Sequence, residues 1–255
     1  MVLNFKNKTI VISGGTKGIG KQLAMVLIDR GANVVIGGRD YSSVKCLLRE
    51  ANKDHKKAIF VYTDLEKVDD CRKLFDSAVE TFTKIDGFVN YAGVTPVASL
   101  TDCDEQTFDY IMNVNIKAAF FCTQFAIQHM KKNKSGSIIL VGSAHAWGGE
   151  KDRAPYAISK GALLTLCEHI SHNYATEKIR CNHVTMGWTA TDGELSLRKN
   201  LGVCKEDLEN EASKILPMGR MLTYDDHIQA FLYFLSDESS MVTGSNIRVT
   251  AGQYI

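Results

Sequence analysis

Thr9-Ile10-Val11-Ile12-Ser13-Gly14-Gly15-Thr16-Lys17-Gly18-Ile19-Gly20 is the stretch that decides the fold. Its first five residues form a short apolar run rich in β-branched side chains, the signal of a buried strand. Glycines 14, 18 and 20 follow at the spacing Gly-x3-Gly-x-Gly, and Ile19, Leu23, Val26 and Leu27 then mark one face of a helix that Gly31 stops. A strand that turns on glycine directly into a helix offers backbone N–H groups and positive potential to an anion. The commoner dinucleotide spacing is Gly-x-Gly-x2-Gly, so this turn is a variant. Gly15-x4-Gly20-Lys21 also matches most of a triphosphate-binding loop, but Gln22 stands where that loop needs Ser or Thr for Mg²⁺. A purely structural turn is the third alternative.

Outward from this stretch the pattern repeats. Further strands are predicted at 34–36, 58–62, 85–89, 137–141, 179–184 and 246–249, and helices at 41–52, 67–83, 105–132, 157–177 and 224–236. Alternating strands and helices argue a parallel sheet covered on both faces. The expectation is an α/β fold: a Rossmann-type, doubly wound parallel sheet of about seven strands with helices on both faces. No composition break divides the chain, so residues 1–255 are expected to form a single dinucleotide-binding domain. Residues 188–222 interrupt the alternation and are expected to form a substrate lid, with a helix near 205–215.

Composition sets limits on function. The 255 residues are 45 % hydrophobic and 23 % charged, which excludes a disordered chain. A net charge of +1 offers no field for nucleic acid or an anionic membrane. No apolar run approaches the roughly 18 residues of a membrane span, and Met1 to Thr9 is too polar for a signal peptide, so a cytoplasmic location is expected. The 7 cysteines contain no Cys-x-x-Cys and no close Cys/His set; reduced thiols and no metal site are expected.

The end of the second strand bears on the cofactor. An acid there would bond a ribose 2′-hydroxyl, as in NAD-binding folds. Gly37-Gly38-Arg39 has none before Asp40. Arg39 offers a planar donor fork suited to a 2′-phosphate, and Lys17 adds a cation within the turn, so NADP(H) is expected. Taken singly, each is also an ordinary solvated charge.

Tyr156-Ala157-Ile158-Ser159-Lys160 puts phenol and ammonium on one helical face. A nearby cation is expected to lower the phenol pKa toward working pH, as a general acid/base requires. Ser143, thirteen residues earlier, lies just past the fifth predicted strand and could donate to a substrate carbonyl.

With these residues in hand, the whole chain resembles a short-chain dehydrogenase/reductase, of the branch about as long as this chain. Ser13-Gly14-x3-Gly18-Ile19-Gly20 is similar to the family's cofactor turn, Asp64-Leu65 to its adenine-contacting pair, and Asn90-Tyr91-Ala92-Gly93 to its Asn-Asn-Ala-Gly motif. Asn115, Ser143, Tyr156 and Lys160 fall on its catalytic positions, and Thr191 on the Thr that contacts the nicotinamide carboxamide. The resemblance implies cofactor contacts from Gly14, Thr16, Lys17, Gly18, Ile19, Gly20, Arg39, Asp64, Leu65, Asn90, Ala92, Gly93, Tyr156, Lys160, Gly187, Thr189 and Thr191. It implies that Tyr156 exchanges a proton with the carbonyl oxygen, Ser143 polarises it, Lys160 holds the nicotinamide ribose, and Asn115 anchors a water that relays protons to Lys160. Taken singly, Asn115 reads as a helix polar residue bonded to backbone, Asp64 as a turn residue, Asn90 as a brace of the sheet and Thr191 as the N-cap of a lid helix.

Three departures stand out: Met186-Gly187 for the family's Pro-Gly, Tyr91 for its second Asn, and Thr250-Ala251-Gly252 for Asp-Gly-Gly. Substrate contacts are expected from Ser143, His145, Tyr156 and Trp188, in a mixed pocket with Trp147, Glu150, Arg153 and Met186; Trp147 and Trp188 serve equally well as lid packing. The function implied is NADP(H)-dependent hydride transfer with a small-molecule carbonyl or secondary alcohol: a sugar, a polyol or a 3-oxoacyl compound. The alternative is a non-catalytic cofactor-binding regulatory protein of the same fold. A homotetramer, or a homodimer, is expected, with helices 105–132 and 157–177 pairing between subunits.

Overall fold

The computed structural model of the chain describes residues 3–200 and 202–253, leaving aside the side chains of residues 197 and 205. The outermost ends of the expected 1–255 unit, and residue 201 of the expected lid, lie outside it. The strands are β1 (Thr9–Ser13), β2 (Asn33–Gly38), β3 (Ala58–Tyr62), β4 (Gly87–Asn90), β5 (Gly136–Ser143), β6 (Ile179–Met186) and β7 (Asn246–Val249). All neighbours pair in parallel, in the order β3-β2-β1-β4-β5-β6-β7. The chain runs outward from β1 to β3 and returns to place β4 on β1's other side. β1 and β4 therefore flank the switch point, where such sheets bind ligands at the carboxyl ends of their strands.

The alternation of side chains explains why both faces are covered. Ile10 and Ile12 of β1 join Ile36, Val89, Ile139 and Val184 on one face. They pack against α1 (Gly18–Asp29), α2 (Lys45–Ala51) and α9 (Tyr224–Leu235). Val11 joins Val35, Phe88, Ile138 and Leu140 on the other, against α3 (Val68–Phe82), α5 (Ala118–Asn133) and α6 (Ala154–Asn173). Phe75 of α3 meets Phe88 edge-on at 5.0 Å.

Several boundaries differ from expectation in ways that matter to function. The helix expected over 105–132 is two: α4 (Glu105–Met112) and α5, joined by a π-helical turn at Asn113–Lys117. The extra residue in that turn rotates Asn115 inward, where it is completely buried. β5 extends through Ser143, so this serine ends the strand instead of following it. α6 begins at Ala154, which places Tyr156 in its first turn with Pro155 just inside the start. Residues 188–222 carry α7 (Asp192–Asn200) and α8 (Lys205–Ile215), the latter where the sequence predicts it.

Candidate active site

The register brings Ser13 opposite both Gly37 and Asn90, and Ser143 opposite Met186. A cleft of about 1270 Å³ runs over these strand ends. That exceeds the ~300–1,000 Å³ usual for a small ligand and leaves room for an extended one. Among the residues expected from sequence, Gly14, Thr16, Lys17, Gly18, Arg39, Asp64, Leu65, Ala92, Gly93, Ser143, His145, Tyr156, Lys160, Gly187, Trp188, Thr189 and Thr191 line it. Ile19, Gly20, Asn90 and Asn115 are buried and do not line it. Among the described residues no group of three or more His, Cys, Asp or Glu could hold a metal ion.

The glycine turn is shaped by contact as well as by conformation. Gly14 has φ +78°, and a Cβ there would lie 2.8 Å from the Ala92 backbone. Gly18 has φ +53°, and a Cβ there would lie 3.9 Å from the Tyr91 hydroxyl oxygen. Lys17 gives α1 no side-chain cap, and no acid stands in that helix's first turn. Its N–H groups and positive end are thus left for an anion. Open glycine cradle, uncapped helix and large cleft together fit a dinucleotide's pyrophosphate.

At the end of β2, Arg39 is exposed and Lys17 pairs with Asp40 at 3.2 Å. Hydrogen bonds from Ser42, Ser43 and Lys17 hold the Asp40 carboxyl well below the usual carboxylate range. The acid missing from the strand end therefore stands one residue later, turned toward these partners. Such an exposed ion pair contributes little to stability.

Ser143, Tyr156 and Lys160 converge at the end of β5. Lys160 is buried; its Nζ donates to the Val141 carbonyl at 2.9 Å and lies 5.7 Å from the centroid of the Tyr156 ring. Burial lowers its pKa to about 8. The expectation of a phenol pKa lowered by this cation is not met: burial raises the Tyr156 pKa, partly offset by the Ser143 hydroxyl and then Arg153. Tyr156 thus holds its proton. The His145 ring stands edge-on to the Tyr156 ring at 5.6 Å, and burial lowers its pKa, which favours a neutral imidazole.

Asn115 works from behind. Its Oδ1 accepts from the Val94 N–H at 2.8 Å, and its Nδ2 donates to the Val94 carbonyl and the Ser159 hydroxyl, both at 2.9 Å. Ser159 passes the link on, donating to the Tyr156 carbonyl at 2.7 Å. The amide therefore ties the loop after β4 to the turn that carries Tyr156. Ser159 escaped sequence analysis because a buried serine inside a helix carries no pattern of its own. Asn90 accepts from Ser13 Oγ at 3.2 Å and braces β1 against β4. Asp64 sits in a turn, accepting from the Glu66 N–H at 3.3 Å.

The remaining residues gather beyond β6. A Cβ on Gly187 would lie 2.6 Å from Thr250 Cα, so Thr250 is what demands a glycine there. Thr189 donates to the Gly187 carbonyl at 2.9 Å and lies 2.8 Å from Nε2 of the buried His227. Thr191 caps α7, accepting from the Glu194 N–H at 3.2 Å. The Trp188 indole donates to Glu194 at 2.9 Å while the Arg198 guanidinium stacks on its ring at 5.1 Å. Arg198 also reaches Glu211 of α8 at 3.5 Å, so Trp188 latches both helices while lining the cleft. Trp147 is outside the cleft wall and is covered by Arg248 at 4.4 Å. Arg198, Glu211 and Gln253 also line the cleft; only tertiary folding brings them there.

A family profile described as enoyl-(acyl carrier protein) reductase matches residues 14–253. An uncharacterized oxidoreductase of Thermotoga maritima is 32 % identical over 250 residues, 98 % of each chain. An L-rhamnose 1-dehydrogenase (NAD(P)(+)) of Azotobacter vinelandii is 32 % identical over 260 residues, covering 98 % of this chain and 97 % of that one. A solved structure described as a short chain dehydrogenase/reductase family protein superposes with a TM-score of 0.85 at 28 % identity, covering 99 % of both chains.

The depressed Lys160 pKa gives a stability test. Below about pH 8 both folded and unfolded chains hold this proton, and the full cost of burying the charge is present. Between about pH 8 and the ordinary lysine value near 10.5, the unfolded chain binds the extra proton, so this group makes stability rise with pH. The thermal-stability difference between Lys160→Met and the parent protein should therefore shift in the parent's favour across that window. A difference independent of pH would remove the buried ammonium from the account.

Proposed function

Because the chain belongs to the short-chain dehydrogenase/reductase family of oxidoreductases, we propose that it transfers hydride between NADP(H) and a polyhydroxylated carbonyl or secondary alcohol, a sugar or polyol. The observation that carries this reading is the meeting of Tyr156, Ser143 and buried Lys160 beside an uncapped glycine cradle in one cleft. Gly14, Thr16 and Gly18 would receive the pyrophosphate, with Arg39 and Lys17 beside a 2′-phosphate. When bound, the nicotinamide supplies or accepts the hydride. Tyr156 keeps its proton and gives it to the carbonyl oxygen. Ser143 donates a hydrogen bond to the same oxygen, orienting it. Lys160, fixed on the Val141 carbonyl, sets the charge beneath the phenol, and Asn115 with Ser159 fixes the turn that aims it.

The preference for NADP(H) draws on the acid-free end of β2, where Arg39 and Ser43 line the cleft while Asp40 is engaged with Lys17 and two serines. The substrate class draws on the wall around Tyr156, where His145, Glu150, Asp152, Arg153, Glu194 and Arg198 offer polar partners for hydroxyl groups, and on the relative named as a rhamnose dehydrogenase. Residues 188–222 would serve as the lid that excludes water. The assembly we propose is a homotetramer built on α5 and α6, whose Phe120 and Ile158 are 50 % and 53 % exposed; light scattering that reports a monomer overturns it.

A panel of sugars, polyols, ketones and 3-oxoacyl thioesters, followed by the absorbance of reduced nicotinamide, tests the function. Turnover confined to the thioesters would displace the polyol reading. Dinucleotide binding without any turnover would favour a regulatory protein. Tyr156→Phe should lower kcat by at least about 10²-fold, and retained turnover would take the proton away from Tyr156. Arg39→Ala should raise KM for NADPH far more than for NADH; equal effects would remove the 2′-phosphate contact.

A further inference from the structure

Tyr91 is the departure in the Asn90-Tyr91-Ala92-Gly93 motif, and its ring lies against the first turn of α1. A Cβ on Gly20 would come 2.9 Å from Tyr91 Cδ1, and one on Gly18 would come 3.9 Å from the Tyr91 hydroxyl oxygen. Outside the turn itself, no other atom of the described residues comes within 4 Å of that side of Gly18. The phenol therefore stands at the floor of the glycine cradle, and Tyr91 lines the same cleft as Ser143 and Tyr156.

The chemistry of a phenol gives this placement a direction. The Tyr91 hydroxyl oxygen stands against the first turn of α1, 3.9 Å from where a Cβ on Gly18 would lie. A phenol hydroxyl carries one proton that it can donate. Burial, reinforced by Tyr156 and Tyr224, pushes the Tyr91 pKa up, so that proton stays in place across the working range. Beside it, the positive end of α1 has no acid to neutralise it. A neutral O–H donor at an uncompensated helix N-terminus suits an anionic oxygen, and in a dinucleotide site that oxygen belongs to the pyrophosphate.

We propose that Tyr91 is a further cofactor-binding residue, a phenol at the glycine turn that donates its proton to a pyrophosphate oxygen of the dinucleotide. It extends the row of backbone donors at α1 with one side-chain donor. This rests on the dinucleotide function proposed above.

The test is equilibrium binding, with no turnover needed. Tyr91→Phe keeps the ring against Gly20 and removes only the hydroxyl. NADPH binding is followed by the cofactor's fluorescence. Adenosine 2′-monophosphate, which has the adenine and the 2′-phosphate but no pyrophosphate, is followed by displacement of NADPH. A hydrogen bond to a charged group corresponds to roughly tenfold or more in Kd. Tyr91→Phe should weaken NADPH by about that factor and leave the monophosphate unchanged, with an unaltered melting temperature of the apo protein. Unchanged or tighter NADPH binding would overturn the assignment and make the phenol a packing group or a competitor. Equal weakening of both ligands, or a lowered melting temperature, would also overturn it, because the loss would then be general. A parent protein that binds no dinucleotide would instead overturn the functional reading beneath it.

Discussion

The backbone stitching at the end of β1 is what the rest of the site depends on. Gly14 and Gly15 N–H groups both donate to the Gly37 carbonyl, at 3.0 and 3.2 Å. On the other side, Tyr91 and Ala92 N–H groups donate to the Ser13 carbonyl, at 3.2 and 3.0 Å. Three strand ends are thus drawn into one knot at the switch point. The chain leaving β4 passes so close to Gly14 that no side chain fits there. This contact fixes where α1 begins, and hence where its uncapped N–H groups point. Loss of the knot would separate the cradle from the loop that Asn115 holds, and both from Tyr156.

Much of this architecture is legible in the sequence because its signals are local. Short β-branched runs, the glycine turn and the Tyr-to-Lys spacing each depend on residues within one element, and alternation alone sorts β1 side chains between the two faces. The break in the helix expected over 105–132 was hidden for a physical reason. Apolar residues continue on both sides of Asn113–Lys117, and a single inserted residue alters the phase without changing the composition. Yet that insertion is what turns Asn115 into the core and lets it reach Val94 and Ser159.

Other features depend on partners far along the chain. Trp147 is a pocket candidate by proximity to Ser143, but it is absent from the cleft lining and its ring stacks instead with Arg248 of β7. Gly187 lines the cleft, and the backbone of Thr250, far along the chain, is what leaves no room there for a side chain. The latch of Trp188, Glu194, Arg198 and Glu211 joins the end of β6 to two helices, and only the first three belong to neighbouring turns of chain. The near-neutral net charge likewise conceals local order: Lys17 and Arg39 both line the cleft, and Lys17 pairs with Asp40 at the end of β2.

Tyr156 and Lys160 show the same limit in electrostatics. Their spacing establishes adjacency, and adjacency alone argues that the ammonium lowers the phenol. Burial acts on both groups, however, and disfavours the charged form of each. It raises the tyrosine and lowers the lysine, so the pair at rest tends toward a protonated phenol and an amine that loses its charge above about pH 8. A protonated phenol is the form that can give a proton to a carbonyl oxygen. The Ser143 hydroxyl, which partly offsets burial on the tyrosine, and the Val141 carbonyl, which accepts from the lysine, are both set by β5. The strand that ends at Ser143 therefore bears on the protonation of the tyrosine and on the position of the lysine, and no residue spacing along α6 could reveal that.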